Sequence, residues 1–352
     1  MTSVAKVAGK EEAPRDERLA RSGMARRLLA RPELGAAVGA IAVFIFFSLY
    51  TEQFATPRGL ANVFDPAATL GIMAVVVALL MIGGEFDLSA GVMTATSGLI
   101  IGMLATEVGL NVWLAIGIAL VAGALVGLFN GVLVVKTGLP SFIVTLGTFL
   151  MLQGANLGVT KLVTGTVQVR GVASAEGFDS ARKVFASTIP IGDGQFRVTV
   201  LWWFGITALA TWVLLRTQFG NWIFASGGNA PAARSVGVPA ARTKILLFMT
   251  VSVAAALVGA MQLMRLTSVQ ANAGIGDEFQ FIIAAVIGGC LLTGGFGSAI
   301  GAAIGAFIFG MAKQGIVFAG WDNDWFQLFL GVLLVLATLL NHYVRHRAEA
   351  SN

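Results

Sequence analysis

The chain has 352 residues, of which 57% are hydrophobic and only 12% are charged, and its formal net charge is +5. Soluble domains are about 45–50% apolar and about 25% charged, so this composition excludes an ordinary soluble protein. The apolar runs are continuous, which excludes a β-barrel, and 44 glycines favour a closely packed bundle of membrane helices. The positive charge lies mostly in the tails and in loops expected on the cytoplasmic side, so it does not indicate nucleic-acid binding.

The first part of the chain is a polar tail. Residues 1–34 mix acidic and basic side chains, and they are too long and too acidic for the n-region of a signal peptide. We predict a retained cytoplasmic tail with an interfacial helical portion near residues 19–29. Residues 35–345 are then the membrane domain, and residues 346–352 form a short cytoplasmic tail.

The membrane domain contains ten candidate spans, because a spanning helix needs about 20 mostly apolar residues. The segment 279–294 is short enough to be re-entrant, and the linker 83–91 could lie within the membrane. The sequence therefore predicts an all-α polytopic membrane protein with about ten transmembrane helices, some of them broken or re-entrant. The candidates are 35–54, 63–82, 88–107, 111–135, 140–160, 197–217, 243–264, 279–294, 298–319 and 325–344.

An even number of spans places both termini on one side, and the basic residues beside the first and last spans make that side cytoplasmic. Residues 218–242 then lie inside, and the loop 161–196 lies outside, where its mixed charges suit short helices or a hairpin. Glu85 and Asp87 are exceptions, since they fall on the basic side. The outside receives the other acids near the spans, Glu107, Asp277, Glu278, Asp322 and Asp324.

The linker GGEFDLSAG, residues 83–91, carries two carboxylates between strongly apolar runs. A charge at mid-bilayer costs about 2.5–3.5 kcal/mol, so Glu85 and Asp87 require an explanation. The glycines permit a chain break, and Asp87 or Ser89 can cap the helix that follows. Two interpretations remain open: a broken helix that lines a transport pathway, or a water-exposed capped turn.

The fifth span carries a polar stripe. Ser141, Thr145, Thr148 and Asn156 share one helical face at about 100° per residue. Hydroxyl and amide groups in a row suit the passage of a polar, uncharged solute. Hydrogen bonding between helices explains the same pattern equally well.

Two further segments suggest breaks in the second half of the chain. Residues 272–279 are predicted to be an external turn that places acids at a helix N-terminus, where the helix dipole favours them. The repeated triplets Ile82-Gly83-Gly84 and Ile287-Gly288-Gly289 indicate paired helix breaks in two halves, as transporters built from internal repeats have them.

Residues 227–242 form a polar island between two apolar runs. Asn229 is a suitable N-cap, Gly237 can close a short helix in the left-handed conformation, and Val238-Pro239 can start the next helix. The island carries Arg234, Arg242 and Lys244. It is either a handle that another protein grips or an ordinary basic loop that only sets the topology.

The sequence lacks the motifs that a catalytic, metal-binding or nucleotide-binding site would require. It has no GxxxxGK[ST] motif for nucleotide phosphates, and its two histidines, His342 and His346, both lie at the C-terminal end. We therefore predict neither a catalytic site, nor a metal site, nor a nucleotide site in this chain.

Four motifs in order resemble the permease subunits of bacterial ABC importers for simple sugars, of the ribose, xylose or galactoside type. They are GGEFDLSAG at 83, NGVLVVKTGLPSFIVTLGT at 130, GGNAPAARSVGV at 227 and NAGIGDEFQFIIAAVIGGCLLTGGFGS at 272. Together they cover roughly residues 60–340.

The resemblance implies a transport subunit of the bacterial inner membrane rather than an enzyme. A second permease chain, identical or a paralogue, completes the pathway, and an extracytoplasmic sugar-binding protein delivers the solute. Two cytoplasmic ATPase subunits hold the ATP and Mg²⁺, so this chain has no cofactor of its own. The residues implied for ATPase coupling are Gly228, Asn229, Ala233, Arg234, Gly237 and Arg242. Those implied for the substrate pathway are Asp87, Ser89, Asn130, Thr145, Thr148, Asn156, Asn272 and Glu278.

Other functions remain open at this stage. The chain could instead import a polyol, a nucleoside or another small polar solute, while permeases for branched-chain amino acids are more distant relatives. An ion-coupled secondary transporter would use Asp87 or Glu85 as its proton or sodium site. A membrane scaffold without transport is a third class, which the polar stripe and the paired breaks disfavour.

Overall fold

A computed structural model describes residues 32–322 and 324–350. The predicted interfacial helix near residues 19–29 and almost all of the predicted N-terminal tail lie outside the described residues. The helices are α1 (Pro32–Tyr50), α2 (Pro57–Ile82), α3 (Ala90–Thr106), α4 (Val112–Thr137), α5 (Ser141–Thr164), α6 (Phe178–Phe185), α7 (Thr199–Arg216), α8 (Gln218–Gly228), α9 (Ala230–Ser235), α10 (Ala240–Leu266), α11 (Asp277–Ile287), α12 (Ala299–Phe318) and α13 (Trp325–Ala350). The short strands are β1 (Gln168–Val169), β2 (Thr188–Ile191), β3 (Gly194–Arg197) and β4 (Val269–Gln270).

The prediction of an all-α polytopic membrane protein is confirmed. Each of the ten predicted spans coincides with a helix, and within the described residues seven helices are long and apolar enough to cross a membrane. Helix α3 has 17 residues and is slightly shorter. Helix α11 has only 11 residues, about 16 Å, which is half the thickness of the hydrocarbon core. Helix α13 continues to Ala350 and so includes residues 346–350 of the predicted C-terminal tail.

Helices α2 and α10 form the centre of the bundle. In the most apolar window of α2, 78% of the residues are buried, against 61% in α10 and 11% in α1. A helix that is apolar on all sides belongs in a protein interior, and α2 accordingly packs against α7, α10, α11 and α12. Small residues permit the close approach of α4 and α10, since a Cβ at Gly127 would lie 2.5 Å from the Met249 Cα atom.

The loop 161–196 contains the two kinds of structure that its composition suggested. Helix α6 is amphipathic and buries Phe178, Ala181 and Phe185. Strands β2 and β3 form an antiparallel hairpin, while β1 pairs with β4 and so ties this loop to the segment after α10. The same end of the bundle is braced by Asp65, which pairs with Arg197 at 3.0 Å and with Arg265 at 2.5 Å.

Candidate functional site

The chain breaks after α2, within the bundle. The N–H groups of Gly83, Gly84 and Glu85 donate to the carbonyls of Leu79, Met81 and Leu80, and Gly84 takes φ +84°. Residues 85–89 then run beside α5 before α3 begins at Ala90.

The polar stripe of α5 faces this break. The Ser141 Oγ accepts from the Phe86 N–H at 3.1 Å, and the Thr145 Oγ1 accepts from the Leu88 N–H at 3.1 Å. The stripe therefore satisfies backbone donors that the break leaves without helical partners, as buried backbone in a membrane requires. These contacts are those expected from hydrogen bonding between helices, and a role of the stripe in a pathway stays a prediction.

Side chains from two helices, α4 and α5, and from the break form one buried hydrogen-bond chain. The Thr148 Oγ1 donates to the Asn130 Oδ1 at 2.6 Å, and the Asn130 Nδ2 donates to the Ser89 Oγ at 3.0 Å. The Ser89 Oγ and N–H both donate to the Asp87 Oδ1, at 2.5 and 2.8 Å. The structure thus brings together five of the predicted pathway residues, Asp87, Ser89, Asn130, Thr145 and Thr148.

Burial excludes one of the two interpretations of the break. Asp87 is 1% exposed and Ser89 is fully buried, so the water-exposed turn is wrong. Ser89 occupies the N-cap position of α3, but its side chain does not cap the helix, because the hydroxyl is engaged with Asp87. The second carboxylate oxygen of Asp87, Oδ2, is buried without a hydrogen-bond partner.

The remaining predicted pathway residues lie apart from this chain of hydrogen bonds. Asn156 is buried two turns beyond Thr148 on the same face, with its Nδ2 unpartnered. Asn272 lies exposed in the turn before α11. Glu278 lies in the first turn of α11, so the predicted placement of acids at a helix N-terminus is confirmed, but its side chain is only 3% exposed.

Glu278 is buried because α11 begins beside the first turn of α3. The Gly276 N–H donates to the Glu278 Oε2 at 3.1 Å, and a Cβ at Gly91 would collide with that oxygen. The first turns of α3 and α11 therefore meet inside the bundle, each with a carboxylate, Asp87 or Glu278, close by. The partial positive charge of a helix N-terminus favours such acids.

The paired breaks predicted from the repeated triplets are present. After α11, the N–H groups of Gly288, Gly289 and Cys290 donate to the carbonyls of Ala284, Val286 and Ala285. This is the pattern found after α2, and Gly289 takes φ +92° where Gly84 takes φ +84°.

The glycine pairs 83–84, 227–228 and 294–295 meet where the two breaks, residues 83–89 and 288–298, approach each other. The Gly295 N–H donates to the Ile82 carbonyl at 2.8 Å. A Cβ at Gly227 would collide with that same carbonyl, and a Cβ at Gly294 would lie 2.7 Å from the Gly84 Cα atom. The end of α8, which belongs to the 218–242 region, therefore packs directly against both breaks.

The polar island has the local structure that its residues predict. The Asn229 Oδ1 accepts from the Ala232 N–H at 3.0 Å and caps α9. The N–H groups of Gly237 and Val238 donate to the carbonyls of Arg234 and Ala233 at 3.0 Å, which is a Schellman ending with Gly237 in the left-handed conformation at φ +84°. Helix α10 then begins at Ala240.

The surface of the island is open. Gly228, Asn229, Arg234, Gly237 and Arg242 are exposed, whereas Ala233 is 5% exposed and anchors α9 to the bundle. In the described part of the chain, neither Arg234 nor Arg242 has a hydrogen bond or an ion pair. The island can therefore offer both guanidinium groups to another molecule.

Sequence reasoning missed two features of the site. Lys244, in the first turns of α10, forms an ion pair with Glu85, so the acid on the basic side has its own cation. The convergence of the glycine pairs at 83–84, 227–228 and 294–295 was also not predicted, although each doublet is visible in the sequence. Within the described residues, no group of three or more His, Cys, Asp or Glu side chains could hold a metal ion.

Comparisons with known proteins identify relatives over most of the chain. Residues 59–338 match the family described as "Branched-chain amino acid transport system / permease component". The ribose import permease protein of Escherichia coli (strain K12) is 30% identical over 306 residues, covering 87% of this chain and 92% of the relative.

Two relatives carry other solute names. The fructose import permease protein of Rhizobium meliloti is 30% identical over 85% of this chain and 80% of its own length. The autoinducer 2 import system permease protein of Enterobacter sp. (strain 638) is 31% identical over 92% of this chain and 91% of its own length. No solved structure matches the chain significantly.

Proposed function

Because the chain belongs to the permease family of ABC transporters, and within it to the sugar import permeases, we propose that it carries a monosaccharide, a pentose or hexose, across the bacterial inner membrane. Members of this family are transport components rather than enzymes. The monosaccharide is proposed from the ribose and fructose relatives.

The observation that carries this proposal is the buried hydrogen-bond chain of Asp87, Ser89, Asn130 and Thr148. Hydroxyl and amide groups can exchange their hydrogen bonds with the hydroxyls of a sugar without moving a charge. We propose that these residues, with Thr145, Asn156, Asn272 and Glu278, lie along the solute's route when the permease opens.

We propose that ATP hydrolysis on partner subunits drives transport through contacts with the exposed island, residues 227–242. Gly228, Asn229, Arg234, Gly237 and Arg242 form the surface that cytoplasmic ATPase subunits grip, Ala233 anchors α9 beneath it, and ATP and Mg²⁺ bind to those subunits. Movement of the island would reach both helix breaks through Gly227, which packs against Ile82 and Gly295. In this proposal, alternating access follows from rocking of the permease halves about the central pathway.

The remaining partners follow from the same proposal. A second permease chain, identical or a paralogue, completes the membrane pathway, and an extracytoplasmic binding protein delivers the sugar to the face that carries residues 161–196. Both termini face the cytoplasm. Lys136, Arg216, Arg234 and Arg242 lie on the side of the island, where residues 218–242 contain no acid, whereas the loop 161–196 mixes acidic and basic residues, and this asymmetry supports the orientation.

The coupling assignment is tested by reversing one charge. We expect Arg234→Glu to reduce co-purification of the ATPase subunits at least tenfold and to abolish uptake of labelled monosaccharides. Arg234 is exposed and has no ion pair within the described residues, so the variant should insert and fold. Lys136→Glu, an equal charge reversal on the same side of the membrane but outside the island, is the matched control.

Two results would contradict the proposal. Uptake that persists after Arg234→Glu, with the ATPase subunits still bound, would show that the island is not the handle. Accumulation of sugar by vesicles that hold this chain alone, under a proton or sodium gradient, would favour the secondary transporter. The buried, unpartnered Oδ2 of Asp87 would then be the ion site to examine.

A further inference from the structure

An open groove runs along the membrane-facing side of α7, next to the start of α12. Its volume is about 450 Å³, and its walls are formed by Phe204, Ala208, Leu215 and Ile300. Volumes of about 300–1,000 Å³ are typical of sites for small ligands. The groove plays no part in the proposed sugar pathway or in the contact with the ATPase.

The groove contains two threonines, but their hydroxyl groups form hydrogen bonds within α7. The Thr207 Oγ1 donates to the Trp203 carbonyl at 2.8 Å, and the Thr211 Oγ1 donates to the Thr207 carbonyl at 2.7 Å. Both hydroxyls are therefore satisfied within α7. The middle of the groove offers hydrocarbon contacts and no free donor from these residues.

Free donors occur only at one end. Arg216 occupies the last turn of α7, and within the described residues its guanidinium has neither an ion pair nor a hydrogen bond. Trp212 lies one turn earlier on the same face, 57% exposed, with its indole N–H available. Trp at a membrane–water interface with an unpaired Arg beside it is an arrangement suited to a headgroup.

The length of the groove agrees with one leaflet. The groove extends from Phe204 to Arg216, about 18 Å along the helix axis, which is slightly more than half of the roughly 30 Å hydrocarbon core. Arg216 immediately precedes α8, so this end lies on the basic side of the membrane with the 218–242 region.

We propose that this groove binds an anionic phospholipid, with an acyl chain along Phe204, Ala208 and Leu215 and the phosphate on Arg216 and Trp212. Arg favours phosphate because its planar guanidinium offers paired donors. A bound lipid at this position would touch the end of α7 directly before α8, the helix that leads to the island.

The test is lipid retention by the purified full-length chain, measured by native mass spectrometry. The two probes are phosphatidylglycerol and phosphatidylcholine with identical acyl chains. We expect one phosphatidylglycerol to be retained about tenfold more strongly than phosphatidylcholine. Arg216→Gln should remove that preference, whereas Lys136→Gln, which removes a charge from the last turn of α4 on the same side, should preserve it.

A second variant separates the acyl chain from the headgroup. Ala208 is exposed on the groove wall, so Ala208→Trp should fill the groove without disturbing the bundle and should reduce retention of both lipids. Equal retention of the two lipids by the unmodified chain would overturn the proposal. So would identical retention by Arg216→Gln and Lys136→Gln, or a disulfide-linked dimer of Ala208→Cys in membranes, which would show that a second copy covers the groove.

Discussion

The two helix breaks have the same backbone geometry, but the protein closes them in different ways. Around residues 83–89, the free backbone donors are taken by side chains of a neighbouring helix, Ser141 and Thr145. Around residues 288–298, the backbone closes largely on itself, with the Leu291 N–H donating to the Phe296 carbonyl. The first break is also charged, whereas the second contains no ionisable side chain except Cys290.

This difference shows that the backbone geometry of a helix break does not depend on the polar side chains placed at it. A pair of glycines is enough to end a helix inside the bundle, since the second glycine supplies the left-handed conformation in both breaks. Carboxylates, hydroxyls and the amide of Asn130 gather only at the first break. We infer that the first break carries the polar function, while the second is a structural counterpart that it packs against.

The largest effect should come from removing the cation of the first break. Lys244→Met leaves the Glu85 carboxylate buried without its partner, which should destabilise the folded state by about 3 kcal/mol. The measurement is the midpoint of unfolding in mixed micelles titrated with SDS. The double variant Glu85→Met with Lys244→Met should recover most of the loss. A double variant as unstable as the single one would show that the ion pair does not matter.

The junction between the breaks should give the next largest effect. Gly227→Ala places a Cβ against the Ile82 carbonyl and the Gly295 N atom, so we expect a loss of about 2 kcal/mol in unfolding free energy. The neighbouring Gly228 has open space around its Cβ position, and Gly228→Ala should change stability by less than about 0.5 kcal/mol. Equal losses in the two variants would mean that the close approach of the breaks is not as described.

A smaller loss of stability should come from removing one of the α5 side chains that accept hydrogen bonds from the backbone of the first break. Thr145→Val removes the acceptor of the buried Leu88 N–H, at a cost of about 1.5 kcal/mol, and should raise hydrogen exchange at residue 88. Thr250→Val is the control, because the Thr250 hydroxyl lies on an exposed face and only donates to the carbonyl of Leu246. Unchanged exchange in Thr145→Val would contradict the role of the stripe in closing the first break.

Most local structure could be predicted from the sequence. The helices at the ten candidate spans follow from apolar runs, the cap of α9 follows from Asn229, and its ending follows from Gly237. The repeated Ile-Gly-Gly triplets indicated the paired breaks, because a left-handed glycine is a property of a few adjacent residues. Such features depend on contacts within about five residues along the chain.

The errors and omissions concern contacts between distant segments. Glu278 was correctly expected at a helix N-terminus, but its burial against the first turn of α3 was not predicted. The pairing of Lys244 with Glu85 joins residues 159 positions apart. Composition gave no indication of either contact.

The sequence by itself determined that this chain is a helical membrane protein, where its helices break and how its island is capped, because these depend on hydrophobic length and local backbone chemistry. Only the tertiary structure decided that α11 starts inside the bundle, that Glu85 has a cation and that three glycine pairs meet. Those facts depend on which surfaces pack together, and a glycine or a carboxylate has the same local pattern whether it faces lipid, water or another helix.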